Sequence, residues 1–218
     1  MKLHLGCGQK YLEGYVNIDF SLNSHTVQES SIADIRCDIL DLNYPAESIK
    51  EIRLHHLFEH FPRPVACALL ASWYSWLRPG GVIHIEVPDF EKTARTVLNH
   101  FTSFEEKAVA ERHLFGTHEA GWAVHCEGYT PKLLQSFIEK FGFRTIKIKK
   151  NNWKGTHNFE LIAKKIKLDI QKHTKEGFKV ITENFLKGFL LDNSESEYKL
   201  LSVWLNIFDN QIEKTWAS

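Results

Sequence analysis

Short apolar runs rich in β-branched residues alternate along the chain with longer amphipathic stretches. Strands separated by helical patterns pair in a mostly parallel sheet with helices on both faces. The last two runs are joined around residues 150–157 by a connection too short for a helical crossover, so that pair is predicted to be antiparallel. The runs that predict strands are Leu3–Leu5, Val16–Phe20, Ile35–Asp38, Ile52–Leu54, Val82–Val87, Arg144–Ile148 and Phe159–Ala163.

Capping and helix-breaking residues mark the ends of the predicted helices. Proline favours the first turn of a helix, glycine follows the last one, and a serine three residues before a glutamate forms a capping box. The predicted helices begin near Pro64 and stop at Pro79-Gly80-Gly81, run from Asp89 to about Phe101, start at Ser103-x-x-Glu106, and run from Thr130 to Gly142.

From about Lys165 onward the pattern is helical only. Apolar residues at helical spacing predict two helices joined by a turn at Asp192–Ser194, and Ser194-x-x-Glu197 predicts a capping box for the second. We interpret residues 165–218 as a C-terminal helical hairpin that extends a domain of residues 1–164. Its aromatic stripes are typical of core packing, and a dimer interface or a lid over a substrate are the functional alternatives.

The composition is that of an ordinary globular protein with balanced charge. Among 218 residues, 27 are Lys or Arg and 27 are Asp or Glu, so we expect no nucleic-acid partner. The apolar runs are shorter than the roughly 20 residues of a membrane span. Four scattered cysteines are typical of reduced thiols, and the chain enters a strand without a signal-peptide pattern. We therefore expect a cytoplasmic protein.

The turn after the first strand carries the first chemical signal. Gly6-Cys7-Gly8 ends one apolar run, and Asp19 ends the next. Glycines let the backbone approach a ligand closely, and an acidic residue after the second strand can accept hydrogen bonds from both ribose hydroxyls of a nucleoside. This pair predicts a nucleotide-type cofactor site at the carboxyl edge of a parallel sheet.

Together with further motifs, this turn resembles the class I S-adenosylmethionine-dependent methyltransferases, and among them the small bacterial type associated with surface-polysaccharide and natural-product gene clusters. The resemblance covers about residues 2–164. It implies a Rossmann-like, doubly wound α/β fold whose seven-stranded sheet has the order 3-2-1-4-5-7-6, mostly parallel with one antiparallel strand. Because Asp19 follows Gly6 by only 13 positions, the first crossover must be a loop or a single helical turn. The motifs are Leu5–Gly8, Gly14–Asp19, Cys37–Leu40, His55–Phe61, Leu77–Gly81 and Phe141–Phe143.

The resemblance also implies which residues contact S-adenosylmethionine. From the residues alone, the alternative for Asp19 and Asp38 is a capping role in a turn. The implied contacts are Gly6, Cys7 and Gly8 with the methionine and ribose portion, Asp19 with the ribose hydroxyls, Asp38, Ile39 and Leu40 with the adenine, and Leu54 and His55 with the methionine arm.

The first candidate for a general base lies in the second half of the chain. Residues 112–130 show little periodicity and are expected to form a substrate-side loop. Within it, His125 is the first candidate, because it matches a similarly placed histidine in the family. The alternative for His125 is a loop histidine bonded to backbone. His60 and Asp89 are further candidates, because both follow strands at the edge where such folds place ligands.

The segment His56-Leu-Phe-Glu59-His60 also spells H-x-x-E-H, a zinc-peptidase signature. In such a site both histidines lie one turn apart on one helix. Pro62 and Pro64 argue against a long helix here, and we expect neither a peptidase nor a metal site.

The sequence therefore predicts a methyltransferase that uses S-adenosylmethionine to methylate a hydroxyl or amine of a small molecule, sugar or glycan precursor. One alternative is a non-catalytic methyltransferase-like subunit that binds a partner. A nicotinamide-dependent oxidoreductase is disfavoured, because Tyr11 stands where Gly-x-Gly-x-x-Gly requires its third glycine. A homodimer formed through the C-terminal helices is a further expectation.

Overall fold

The computed structural model describes residues 1–21, 30–153, 155–167 and 173–216. Within these ranges seven strands form a sheet of order β3-β2-β1-β4-β5-β7-β6, which confirms the predicted topology. The strands are β1 (Lys2–Leu5), β2 (Val16–Asp19), β3 (Ile35–Arg36), β4 (Ile49–His55), β5 (Leu77–Pro88), β6 (Phe143–Trp153) and β7 (Thr156–Lys165).

The register brings the carboxyl ends of four parallel strands to one edge of the sheet. Leu5 of β1 pairs with Ile18 of β2 and with Leu54 of β4, while His55 of β4 pairs with Glu86 of β5. Strand β7 runs antiparallel to both β5 and β6, as the short connection predicts. The residues that follow β1, β2, β4 and β5 therefore meet at the edge where parallel sheets bind ligands.

Six helices occupy the described ranges, and their caps follow the sequence closely. Asp89 caps the second helix through a bond from the Lys92 amide, and Ser103 and Glu106 form the predicted capping box. Among these helices, none has both the length and the apolar character that crossing a bilayer would require. The helices are α1 (Arg63–Trp76), α2 (Phe90–Leu98), α3 (Phe104–Phe115), α4 (Pro131–Lys140), α5 (Lys175–Leu186) and α6 (Glu195–Thr215).

Three predicted boundaries were wrong. Helix α2 ends at Leu98 rather than Phe101, because Asn99 has extended backbone. The Pro79-Gly80-Gly81 segment lies inside β5, which begins directly after α1. Residues 112–115 belong to α3, so the connection expected over residues 112–130 starts at Gly116. We call residues 116–130 the substrate loop below.

The C-terminal helices pack onto the rest of the molecule through buried side chains. Phe178 and Phe208 are fully buried in the same continuous core as the sheet. Trp76 of α1 donates its indole N–H to the carbonyl of Thr215 at 2.9 Å, which fixes the end of α6 on α1. The predicted hairpin is present. Only half of its capping box forms, because the Glu197 carboxylate accepts from the Leu191 amide instead of the Ser194 amide.

Candidate active site

The turn after β1 has the backbone geometry that its glycines predict. Gly6 and Gly8 have φ angles of +65° and +52°, the left-handed region that residues with a side chain rarely adopt. A Cβ on Gly6 would lie 3.1 Å from both terminal methyl groups of Leu57. The first crossover is a loop with no helix, as the short spacing to Asp19 predicts.

Asp19 holds this turn against the end of β2. Its carboxylate accepts hydrogen bonds from the amides of Gly8 and Phe20, the latter at 2.8 Å, and 8% of the residue is exposed. The capping role is therefore real. The role of Asp19 toward ribose hydroxyls stays a prediction.

The segment after β3 also has a local structural role. The Asp38 carboxylate accepts from the Leu40 amide at 2.9 Å and caps the short 3₁₀ turn Ile39–Asp41. Ile39 is buried in the core, and the Leu40 carbonyl accepts from Gln211 of α6 at 2.7 Å. Contacts of these residues with adenine stay a prediction.

A cavity of about 730 Å³ opens at the carboxyl ends of β4 and β5. His55 and His125 line it, whereas the other predicted site residues are not among its lining residues within the described chain. Its lining is rich in imidazole and cationic groups. The lining residues are Lys10, His55, His56, Glu86, Val109, Arg112, His113, Gly116, Thr117, His125, Asn151, Asn152 and Thr156.

His55 is held in one tautomer by a chain of buried polar groups. The Asn17 side-chain oxygen accepts the Leu12 amide and the Nδ1–H of His4, at 3.0 Å from Nδ1. The Nε2 of His4 must then accept from His55 Nδ1, at 3.2 Å. Burial, helped by the nearby Lys10 charge, lowers the pKa of His55 to about 4. His55 is therefore neutral at pH 7, with a lone pair on Nε2.

His56 bridges two carboxylates in a strained backbone conformation. Its φ angle is +50°, and its ring nitrogens lie 3.3 Å from Glu59 and 3.6 Å from Glu86. Burial alone would lower the pKa of His56, but the two carboxylates outweigh it and raise the pKa to about 9. His56 is thus an imidazolium at neutral pH. Strained residues of this kind cluster at functional sites.

His125 and His60 are each anchored to backbone through Nδ1. The Nδ1–H of His125 donates to the Leu114 carbonyl at 3.2 Å, and that of His60 donates to the Val124 carbonyl at 3.1 Å. Since a carbonyl can only accept, the neutral form of each ring carries its lone pair on Nε2. Burial lowers the pKa of His125, which favours this neutral form. His125 can therefore accept a proton at the cavity wall, although its role as base stays a prediction.

Asp89 lies away from the cavity lining. It is 1% exposed, and its carboxylate caps α2 through the Lys92 amide at 3.1 Å.

The helix that a zinc peptidase needs is missing at His56–His60: residues 58–60 form one 3₁₀ turn, and α1 begins only at Arg63. Pro62 and Pro64 stand at the start of α1, so no long helix runs through His56–His60, as the sequence predicts.

Sequence reasoning missed His56, Glu86, Lys10 and Arg112 as site residues. His56 and Glu86 sit at or next to the carboxyl ends of β4 and β5, so the rule that such edges bind ligands could have found them. Arg112 lies on α3, whose last turn was taken for a loop. No local motif marks Lys10 or Arg112.

No family model matches this chain, and a search of curated proteins finds no match. Solved structures are similar to it in fold. An S-adenosylmethionine-dependent methyltransferase from Methanosarcina mazei is 14% identical, with a TM-score of 0.50 over 76% of this chain and 92% of its own. One from Mesorhizobium loti is 14% identical, with a TM-score of 0.51 over 75% and 90%.

A third structure is the 1,6-didemethyltoxoflavin-N1-methyltransferase of Burkholderia thailandensis, solved with 1,6-didemethyltoxoflavin and S-adenosylhomocysteine. It is 14% identical, with a TM-score of 0.52 over 76% of this chain and 71% of its own. At this identity the likeness concerns the fold alone. The fold of this chain is that of the class I S-adenosylmethionine-dependent methyltransferases, as its motifs predict.

Proposed function

We propose that the protein is an S-adenosylmethionine-dependent methyltransferase that methylates a hydroxyl or amine of a small molecule, sugar or glycan precursor. One observation carries the proposal: the Gly6–Gly8 turn and Asp19 share a sheet edge with a cavity of about 730 Å³ lined by histidines. Folds of this kind bind ligands at that edge. The small bacterial type and the cytoplasmic location belong to the same proposal and rest on the sequence.

The residues present fit the cofactor. Two glycines with positive φ expose the backbone after β1, and Asp19 offers a carboxylate beside them. When bound, S-adenosylmethionine supplies a methyl group already activated on a sulfonium. The chain itself therefore has to align the acceptor with that carbon and exclude water.

His125 is the proposed proton acceptor for a hydroxyl substrate. A hydroxyl must lose its proton as its oxygen bonds to the methyl carbon and the carbon–sulfur bond breaks, and Nε2 of His125 can take that proton. The anchored Nδ1–H fixes the ring at the cavity wall. An amine that is already neutral needs this base less.

The cavity lining also favours an acceptor that carries negative charge. Among the described residues, Lys10, Arg112 and the imidazolium of His56 line it, against one carboxylate, that of Glu86. Opposite charge raises the local concentration of a substrate and orients it. A phosphorylated or carboxylated acceptor matches this lining.

Calorimetric titration of the full-length chain with S-adenosylhomocysteine and with NADH tests the cofactor assignment. We expect micromolar binding of the former only, weakened at least tenfold by Asp19→Asn. Asp41→Asn is the matched control, because Asp41 is exposed and follows the next strand. Failure of S-adenosylhomocysteine to bind, or equal affinity of the Asp19→Asn protein, would overturn the proposal and favour the non-catalytic subunit.

A homodimer is part of the proposal as well. Helix α6 and the turn before it expose Leu191, Leu200, Val203 and Ile207, which a second copy could cover. Sedimentation should show a dimer that Val203→Asp weakens. A monomer at micromolar concentration would contradict this point alone.

A further inference from the structure

We propose that Glu59, His60 and His125 form a binding site for a late first-row divalent cation, with Zn²⁺ as the best-fitting ion. One ligand atom from each residue lies within 4.8 Å of the other two. The two imidazole rings meet edge to face, with centroids 4.7 Å apart. Two nitrogens and one carboxylate oxygen make a three-residue ligand set of the kind that leaves a metal coordination position open.

Both histidines are prepared for this role by their backbone contacts. The carbonyls of Leu114 and Val124 accept the two Nδ1–H groups, so Nε2 of each ring is left to coordinate. Metal-bound histidines commonly donate their other N–H in this way, which fixes the tautomer and the ring orientation. Two independent segments of backbone thus impose the same tautomer on two neighbouring rings.

Glu59 supplies the second, independent observation. It is 1% exposed, and within the described chain neither of its carboxylate oxygens accepts a hydrogen bond. Its closest cationic neighbour is His56, whose Nδ1 lies 3.3 Å from Oε1, while Nε2 of His125 lies 4.0 Å from the same oxygen. Buried charges are normally paired or bound to metals. A cation between Glu59 and the two Nε2 atoms would complete this compensation.

The donor set selects among metals. Imidazole favours Zn²⁺ and its neighbours over Mg²⁺ and Ca²⁺, which prefer oxygen ligands. Ligands about 2.1 Å from Zn²⁺ stand roughly 3.4 Å apart in a tetrahedral site. The three ligand atoms now lie up to 4.8 Å apart, and side-chain movements of about 1 Å would bring them to this spacing.

An ion at this site would join two segments that already touch. Glu59 and His60 lie on the turn after β4, and His125 lies on the substrate loop. The amides of Cys126 and Glu127 donate to the Glu59 carbonyl, so the backbone is in place before any ion binds. An ion would occupy the Nε2 lone pair of His125, so metal binding and proton acceptance there exclude each other.

Calorimetric titration of the chelator-treated full-length protein with Zn²⁺ tests the site. We expect one ion per chain, with affinity reduced by at least about 10–100-fold in His60→Gln, a loss that even an outer-shell change can cause. His60 is only half-buried, so this variant should fold, as thermal unfolding will verify. His118→Gln is the matched control, because His118 is an exposed histidine of the same loop outside the cluster.

Co²⁺ provides a second readout that adventitious surface binding would not give. We expect visible absorption bands of a site containing nitrogen ligands, absent in His60→Gln and unchanged in His118→Gln. Substoichiometric Zn²⁺ binding, or equal losses in the two variants, would overturn the metal site. The result is independent of the S-adenosylhomocysteine titration, so the failure of one proposal is distinguishable from that of the other.

Discussion

Arg63, the first residue of α1, joins the substrate loop to the C-terminal helices. One guanidinium nitrogen, Nη2, lies 2.8 Å from Oε1 and 3.0 Å from Oε2 of Glu127, and the guanidinium carbon lies 3.7 Å from the centroid of the Phe189 ring. The Arg63 and Glu127 side chains are 23% and 12% exposed. We predict that Arg63→Ala destabilises the protein and loosens the substrate loop beside His125.

The magnitude follows from the two contacts. A hydrogen bond to a charged partner contributes about 1.5–3 kcal/mol, and the cation–π contact adds about 0.5–1 kcal/mol. Arg63→Ala should therefore lower the free energy of unfolding by about 3 kcal/mol. Arg63→Lys keeps the charge that pairs with Glu127 but loses the planar guanidinium that lies over the Phe189 ring, so we expect it to recover only part of that loss.

Urea denaturation followed by tryptophan fluorescence measures the effect. Arg95→Ala is the matched control: its ion pair with Glu91 spans one helical turn, and the side chains are 76% and 53% exposed. We expect that control to cost at most about 0.5 kcal/mol. If Arg63→Ala costs no more than Arg95→Ala, or if Arg63→Lys is as stable as the original protein, the reasoning about this contact is refuted.

Three further predictions concern the sheet edge. Gly6→Ala should lower the free energy of unfolding by about 1–2 kcal/mol because of its left-handed backbone, and further because the new methyl group would contact Leu57. Gly14→Ala is the control: its φ is +80° and a Cβ there has nothing within 4 Å, so it should show the backbone cost alone in the same denaturation assay. The pKa of His56 is raised to about 9 in the fold, so its stabilisation is complete below pH 6.5 and lost as the pH rises through 9. With 39% of that side chain exposed, His56→Gln should cost at most about 1 kcal/mol at pH 6 and nothing near pH 10 in urea titrations; a loss independent of pH would contradict the assignment. Burial raises the pKa of both the Cys7 and the Cys126 thiols, that of Cys7 to about 11; because Cys7 is buried and Cys126 is exposed, Cys126 should react with a maleimide faster at pH 8, as mass spectrometry of the digested protein will show.

Local rules in the sequence predicted most of the fold. Asp89 and Ser103 cap helices because their side chains satisfy free amides a few residues away, which needs no knowledge of the distant chain. The order of the strands does not follow from such local rules, and its prediction came from the motifs that resemble a known family. Helix α1 does end before Pro79-Gly80-Gly81, but this segment belongs to β5 because Leu77 pairs with Ile49 of β4, and pairing with both β4 and β7 follows from Val82.

The site was less predictable because it depends on contacts between distant segments. His125 was found by position in a motif, but its Nδ1 anchor lies on the end of α3, a helix whose exposed apolar residues hide its period. The arrangement of Glu59 between His56 and His125 depends on how the substrate loop returns to the turn after β4. A single sequence offers no signal for such a return.

Helix α1 is enclosed on every side, with eleven of its fourteen residues buried. The sheet covers one flank, and α6 covers another, where Ser72 and Thr215 share a hydrogen bond of 2.7 Å. A helix that is apolar all round cannot tolerate water on either flank. We therefore expect a chain shortened at residue 164 to expose this flank of α1 and to aggregate. Any transplant of the sheet edge into another scaffold must carry residues 175–216 with it.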